Sequence, residues 1–292
     1  MSSERGHSPH ALVQIDPAMS ILRLAALYAG PQGGLDDETL GQMFEQVRSG
    51  VLAGMAPGDA WQELVRGLMA PTPSNMFRVL HACGALPVVL PEVAALFGVP
   101  QIADDPPQVD IGKHMLRVVD EAARCNAPLA VRFTAMVMNV GKADSPPEHL
   151  PVHYRHIERG RPRIEGMCER FGVPPECRDL ALLALAECER VHRVTEVRAG
   201  PVAALLERVG AFSLPERFEQ FMMLCACDYR AYGGRMQDHY PKAVLLGKVL
   251  KACAGIDVAA LTAGQDAVVA AESLHDARAA AIAAAFCSER WS

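Results

Sequence analysis

Apolar residues recur at helical spacing along most of the chain. Ile21, Leu24, Ala25 and Tyr28 form the first stripe, opened by Asp16-Pro17 and stopped by Gly30-Pro31. Asp36 and Asp37 start a second helix with Leu40, Met43, Phe44 and Val47 turned inward. A third begins at Pro57-Gly58-Asp59 and carries Trp61, Leu64, Val65 and Leu68. Pro71-Thr72-Pro73-Ser74 marks a joint. Beyond it the spacing predicts a helix from Asn75 to Cys83, closed by Gly84, and a short helical segment from Pro87 to Phe97. Gly98 to Gln108 reads as a Pro- and Asp-rich connection. Four or five longer helices then run to about residue 245, separated by two loops. One is Lys142–Arg163, with Pro146, Pro147, Pro151 and Pro162; the other is Arg230–Pro241, with Gly233 and Gly234. Two Ala-rich helices over 242–288, broken at Gly255-Ile256-Asp257 and Ala263-Gly264, complete the chain. No strand of useful length and no repeat is visible, so the expected fold is all-α.

The stretch Val131–Lys142 holds the most informative polar residue. Phe133, Val137 and Val140 recur at helical spacing, Gly141 is expected to close the turn and Lys142 to cap it. Asn139 therefore stands where a buried helix runs out into a loop, a place from which helices present ligands. An amide is a weak anchor for a transition metal, and Met138 beside it is no better.

Composition narrows the classes. Half of the 292 residues are apolar, 5% are aromatic, and the net charge is −6. Any contact with RNA would need a local basic patch, and nothing points to DNA. The nine cysteines are odd in number and contain no CxxC pair, which reads as reduced thiols of a cytoplasmic protein. Cys225 and Cys227, two apart on a helix, face different ways and make a poor metal pair. The first ten residues are polar and read as a disordered tail without an apolar leader; the longest apolar run, Ala277 to Phe286, is too short for a bilayer. No membrane association is expected.

Candidate chemistry is scattered over His114, Asn139, His153, His156, Glu187, Glu189, His192, Asp228 and Arg230. Singly, each has a plain explanation: His114 as a half-buried helix residue, His153 and His156 facing outward, Asp228 paired with Arg230 or Arg235. The segment 151–163 is more informative. Arg155, Arg159, Arg161 and Arg163 cluster there with Tyr154 and two histidines, a combination suited to phosphate and to base stacking. Pairing with Glu158 and Glu165 on a solvated face is the alternative.

Several stretches together resemble the helical portion of a bacterial tRNA nucleotidyltransferase, the CCA-adding enzyme, of the type that ends in an HD phosphohydrolase domain. They are Asp16-Pro17 followed by Leu22-Arg23; Cys83-Gly84; Leu90-Pro91-Glu92 with Leu96-Phe97-Gly98-Val99-Pro100; Asp110-Ile111-Gly112-Lys113-His114; Val131-Arg132-Phe133 with Gly141-Lys142; Pro151, His153 and His156; and Cys227-Asp228-Tyr229-Arg230. The resemblance runs from Asp16 to about Arg290. It implies a helical neck block, an HD-domain-like bundle and C-terminal helices. The corresponding divisions are a tail at 1–10, a neck-like block at 11–70, a helical connection at 71–108, an HD-like domain at 109–245 and C-terminal helices at 246–292.

The departures from the family carry the functional expectation. The family's catalytic head, with a Gly-Ser motif and two metal-binding aspartates, precedes the matching region and has no counterpart here. Met19 and Leu22 stand near family arginines of the neck, with Arg23 one place off, and Pro57-Gly58-Asp59 replaces another. An HD centre uses a first histidine, a His-Asp pair and a distant aspartate to hold a divalent metal. His114 and Asp228 match the first and last, but the pair falls on Met138-Asn139. His153 and His156 match further family histidines, and another falls at or beside Glu189. The expected pocket is thus His114, Met138, Asn139, Lys142, His153, His156 and Asp228, with Arg155, Arg159, Arg161, Arg163 and Arg230 toward RNA. The expected function is a catalytically silent relative that binds tRNA, another RNA or a partner protein, with no cofactor. Two alternatives stay open. One is a residual phosphohydrolase of 2′,3′-cyclic phosphates or phosphomonoesters, with a divalent metal on His114 and Asp228; the other is a subunit that docks on a separate head.

Overall fold

A computed structural model describes residues 17–31, 35–104, 106–194, 198–233, 235 and 239–289. The expected tail, the Asp16 cap, Gly234 and Arg290 lie outside these. The chain forms α1 (Pro17–Tyr28), α2 (Asp37–Arg48), α3 (Pro57–Met69), α4 (Pro73–Ala82), and the single turns α5 (Leu86–Val89) and α6 (Pro91–Ala94). Two three-residue strands follow, β1 (Pro100–Ile102) and β2 (Gln108–Asp110). The main bundle holds α7 (Ile111–Arg124), α8 (Leu129–Val137), α9 (His156–Phe171), α10 (Pro175–Arg193), α11 (Ala199–Arg208) and α12 (Pro215–Arg230). The chain continues through α13 (Pro241–Ala252), α14 (Val258–Thr262) and α15 (Ala267–Glu289). The architecture is all-α.

Local chemistry accounts for most helix starts. Asp36 caps α2 by accepting from the Thr39 N–H at 2.7 Å, and Asp110 caps α7 by accepting from the Lys113 N–H at 2.9 Å. Proline opens α1, α3, α4, α6, α10, α12 and α13, where its missing N–H costs nothing. The α4 helix therefore begins at Pro73, two residues before the expected Asn75.

Four expectations need correction. The segment 87–97 is not one helix: Leu90, whose backbone leaves the helical region (φ −132°, ψ 65°) ahead of Pro91, separates α5 from α6. The connection 98–108 contains an antiparallel ribbon pairing Pro100 with Asp110 and Ile102 with Gln108, too short to show alternation in the sequence. The loop expected over 142–163 ends at Arg155, because α9 starts at His156 and runs through Pro162. Pro162 is exposed, so the carbonyl it leaves unpaired faces water. Phe44, expected inward, is 43% exposed, while Met43 is buried.

The α8 helix lies at the centre, packed on α7, α10, α12 and α3. Its Arg132 is buried and ties the bundle to the first helices. The guanidinium donates from Nη1 to the Leu68 and Ala70 carbonyls at 2.9 and 3.0 Å, and from Nε to the Ala127 carbonyl at 2.8 Å. The Leu68 and Ala70 carbonyls lie at the end of α3, where the helix cannot satisfy them itself. At the far end, α15 packs on α11 and α13, with Arg278 joining Glu207 at 2.9 Å and lying 3.9 Å over the Phe212 ring. No helix among the described residues is long and apolar enough to cross a membrane.

Candidate functional site

The end of α8 opens onto a cleft of about 810 Å³, lined by Met138, Asn139, Lys142, His153, His156 and Asp228 among others. After Val137 the chain leaves the α-helix, and Val140–Lys142 forms a 3-10 turn. Gly141 does not close this turn with a left-handed conformation, as expected from the sequence. It is glycine because α9 passes against it: a Cβ would lie 2.0 Å from the His156 carbonyl oxygen and 2.6 Å from the Gly160 nitrogen. Lys142 is not a cap either. Its buried stem carries Nζ to the Gln101 amide oxygen and a Glu189 carboxylate oxygen, each at 3.1 Å.

Beneath the cleft, three helices bring together a buried ionic cluster. His114, in the first turn of α7, is fully buried and places Nε2 2.9 Å from Asp228 Oδ1. His192, near the end of α10, places Nε2 3.0 Å from Asp228 Oδ2 and 3.4 Å from Cys188 Sγ. Tyr240 reaches His192 Nδ1 at 2.8 Å, and Cys225 Sγ lies 3.7 Å from Cys188 Sγ. Burial alone would raise the Asp228 pKa, but the attraction and hydrogen bond of His114, joined by those of His192, hold it well below the usual carboxylate range. His192 is penalised by burial, yet the Cys188 sulfur and Asp228 push it up to about 10. The Cys188 thiol is lowered, chiefly because Cys225 donates to it, and Cys225 is correspondingly raised, first of all by burial.

Asp228 is therefore held by His114 and His192 and not by Arg230 or Arg235. Arg230, two residues further along α12, points elsewhere and faces Glu121 at 3.7 Å; Arg235 pairs with Asp104. His153 and His156 do not face outward. Both line the cleft, with His153 Nε2–H donating to the Pro100 carbonyl at 3.0 Å and His156 Nδ1–H to the His153 carbonyl at 2.8 Å. Ser145 Oγ lies 2.7 Å from His153 Nδ1. Glu189 lines the cleft beside Lys142, whereas Glu187 is turned toward Arg208 at 3.1 Å. Met138 and Asn139 stand on the cleft wall as expected.

The arginines of 155–163 lie at the N-cap and in the first turns of α9, and each has a local partner. Arg155 meets Glu158 at 2.8 Å, Arg161 meets Glu165 at 3.4 Å, and Arg163 pairs with Asp144. Arg159 folds inward onto the Gly141 carbonyl at 3.2 Å and Ser145 Oγ at 3.0 Å. A different basic feature escaped the sequence reading. Arg190, Arg193, Arg198 and Arg208 wall a groove of about 570 Å³ between α10 and α11, and Arg193 also lines the cleft. The sequence reading also left out Cys188, Gln101, Tyr232 and Tyr240. Cys188 and His192 are four apart on α10, a spacing that marks one helix face. Gln101 donates to the Tyr232 hydroxyl at 2.7 Å, and the Tyr232 ring lies 4.3 Å from that of His114.

The cleft histidines set a pH response. Burial lowers both His153 and His156, and the Lys142 charge adds to this. Both are neutral in the native protein at pH 7. Because their folded pKa values lie below the unfolded value of about 6.5, the unfolded chain binds more protons as the pH falls through this window. Stability is expected to decline from pH 6.5 downward, and the His153→Gln/His156→Gln double variant to flatten the slope. Urea midpoints at pH 7 and pH 5 measure this; an unchanged slope in the double variant would assign the acid loss to other groups.

No protein-family profile matches the chain. It is 42% identical over 272 residues to the multifunctional CCA protein of Cupriavidus necator, covering 92% of this chain and 66% of that protein. It is also 42% identical over 280 residues to the multifunctional CCA protein of Burkholderia vietnamiensis, covering 94% of this chain and 67% of that one. Its identity to the protein of the same name from Ralstonia nicotianae is 40% over 283 residues, or 96% of this chain and 65% of the relative. The chain thus spans about two thirds of the length of these relatives. At this identity, sustained over nearly all of its residues, the chain belongs to the family of multifunctional CCA proteins.

Proposed function

We propose that this chain is a tRNA-binding helical module of its family whose HD-type phosphohydrolase centre is silent. The observation that carries the silence is the donor set at the end of α8. An HD centre needs imidazole and carboxylate ligands from two adjacent residues there, and Met138 and Asn139 offer a thioether and an amide. Asp228 is the remaining carboxylate, and both of its oxygens are engaged by histidines. Lys142 adds an ammonium paired with Glu189 on the cleft wall. These residues do not fit a hard divalent ion of the HD type, so no hydrolytic step is assigned to them. Among the described residues the only sheet is the three-residue ribbon, and nucleotide transfer is likewise not assigned to this region.

The RNA reading is supported by the family and by local charge. The arginine-walled groove shares Arg193 with the cleft, and the arginines of 155–163 add a second basic segment, in a chain of net charge −6. The carboxylate partners of Arg155, Arg161 and Arg193 are exposed or half-exposed, so a phosphate can displace them at small cost, whereas Arg190 and Arg208 share the buried Glu187. Filter binding of tRNA tests the reading. Affinity is expected to fall by roughly tenfold or more between 50 and 200 mM salt, as for a few neutralised phosphates. Arg190→Ala/Arg193→Ala is expected to weaken binding and reduce the salt slope. Binding no stronger than that of an equally acidic control protein would overturn the RNA reading. Hydrolysis of 2′,3′-cyclic AMP with magnesium, manganese or nickel, lost on Asp228→Ala, would restore the phosphohydrolase.

A further inference from the structure

We propose that Cys188, His192 and Asp228 bind one zinc ion, a donor set that shares Asp228 with the expected HD centre but uses neither Met138 nor Asn139. The three ligand atoms, Sγ, an imidazole nitrogen and a carboxylate oxygen, all lie within 4.8 Å of one another. Zinc binds thiolate at about 2.3 Å and imidazole or carboxylate at about 2.0 Å, which sets tetrahedral ligand–ligand edges of roughly 3.3–3.5 Å. His192 Nε2 is 3.4 Å from Cys188 Sγ and 3.0 Å from Asp228 Oδ2. The two His192 edges are thus already near those of a tetrahedral site, and the Cys188-to-Asp228 edge lies within 4.8 Å.

Each ligand is also oriented from its other side, as metal ligands require. Nδ1–H of His192 donates to the Tyr240 hydroxyl, leaving Nε2 as the ligand atom. His114 Nε2–H donates to Asp228 Oδ1, and Oδ2, which faces His192 Nε2, turns to the ion once zinc displaces the proton between them. Cys225 lies where its S–H supports a Cys188 thiolate. Two ligands four apart on α10 and one on the crossing α12 give a fixed frame. All three line the cleft, so the fourth coordination position opens to it. One sulfur, one nitrogen and one oxygen form a softer set than magnesium or manganese prefer. The site owes nothing to Met138 or Asn139, and the inference does not rest on tRNA binding.

The test uses the full chain without a histidine tag, stripped with chelator and titrated with zinc chloride and, separately, cobalt chloride. Uptake of one ion per chain, a raised melting temperature and a near-ultraviolet sulfur-to-cobalt charge-transfer band are expected. Cys188→Ser should abolish the band and weaken zinc binding, and Tyr240→Phe should weaken it about tenfold. Asn139→Ala should leave zinc affinity unchanged. No stoichiometric uptake, a cobalt complex without the sulfur band, or dependence on Asn139 would each overturn the proposal. If Cys188→Ser fails to fold, the cobalt spectrum of the parent chain and Tyr240→Phe decide. Zinc uptake without tRNA binding would sink the functional reading alone, and tRNA binding without zinc uptake would sink this one alone.

Discussion

Replacing Gly141 with alanine is expected to destabilise the protein by about 3 kcal/mol, read as a lower urea midpoint at unchanged slope. The added methyl would sit 2.0 Å from the His156 carbonyl oxygen, 2.6 Å from the Gly160 nitrogen and 2.7 Å from the Gly160 Cα. These are backbone atoms of α9, so no side-chain rotation relieves the overlap; the helix must move off the 140–142 turn. Gly160→Ala provides the internal comparison. Its methyl would meet Leu185 Cδ1 at 2.7 Å, the end of a flexible side chain, and the Gly141 Cα at 3.3 Å. That variant is expected to cost about 1 kcal/mol. Equal losses in the two variants would mean that the backbone contact does not set the position of α9. The consequence reaches the cleft, because α9 carries His156 and the turn carries Lys142.

The same residue shows where sequence reasoning stops. Helical spacing located Val131–Lys142 as a buried helix ending in a turn, since Phe133, Val137 and Val140 follow a local period. The need for glycine at 141 arises from a helix that begins fifteen residues later, and no local pattern reports it. Helix positions were legible for the same local reason, with boundary errors where proline chemistry admitted two answers. Pro162 was read as a breaker and proves tolerable on a solvated face. The ribbon of β1 and β2 was invisible because three residues cannot establish a period of two.

The cleft was legible only in part. Resemblance to the family placed His114, Met138, Asn139, Lys142, His153, His156 and Asp228 in one pocket; the last six line the cleft, and His114 lies beneath it against Asp228. The resemblance did not supply Asp228's second partner. His192 comes from α10 and His114 from α7, and their convergence depends on how both helices cross α12. The nearer arginines in sequence were the obvious counter-charges, yet Arg230 is two positions along the same helix and turned to another face. Likewise the four-arginine groove joins the end of α10 to α11, across a bend that charge counting along the chain passes over.

Removing the Asp228 carboxylate is the second large effect expected. In chelator-treated protein, Asp228→Ala should cost about 3–5 kcal/mol, the range for deleting one member of a buried ion pair. The alanine leaves His114 Nε2 and His192 Nε2 without their acceptor in a region where His114 is already fully buried and its Nδ1 has no hydrogen-bond partner. Asp228→Asn is expected to lose less, roughly 1–3 kcal/mol. Its amide oxygen still accepts from one histidine, and its NH₂ can donate to the other once that imidazole is neutral. Glu189→Ala is the surface comparison. Glu189 retains 40% side-chain exposure, so solvent screens its pair with Lys142, and Lys142 keeps its bond to Gln101. That variant should stay within about 1 kcal/mol of the parent. If Glu189→Ala proved as costly as Asp228→Ala, the wall of the cleft and not the cluster beneath it would hold α7, α10 and α12 together. The ordering Ala, then Asn, then the Glu189 variant is the signature of a single buried carboxylate serving two helices at once.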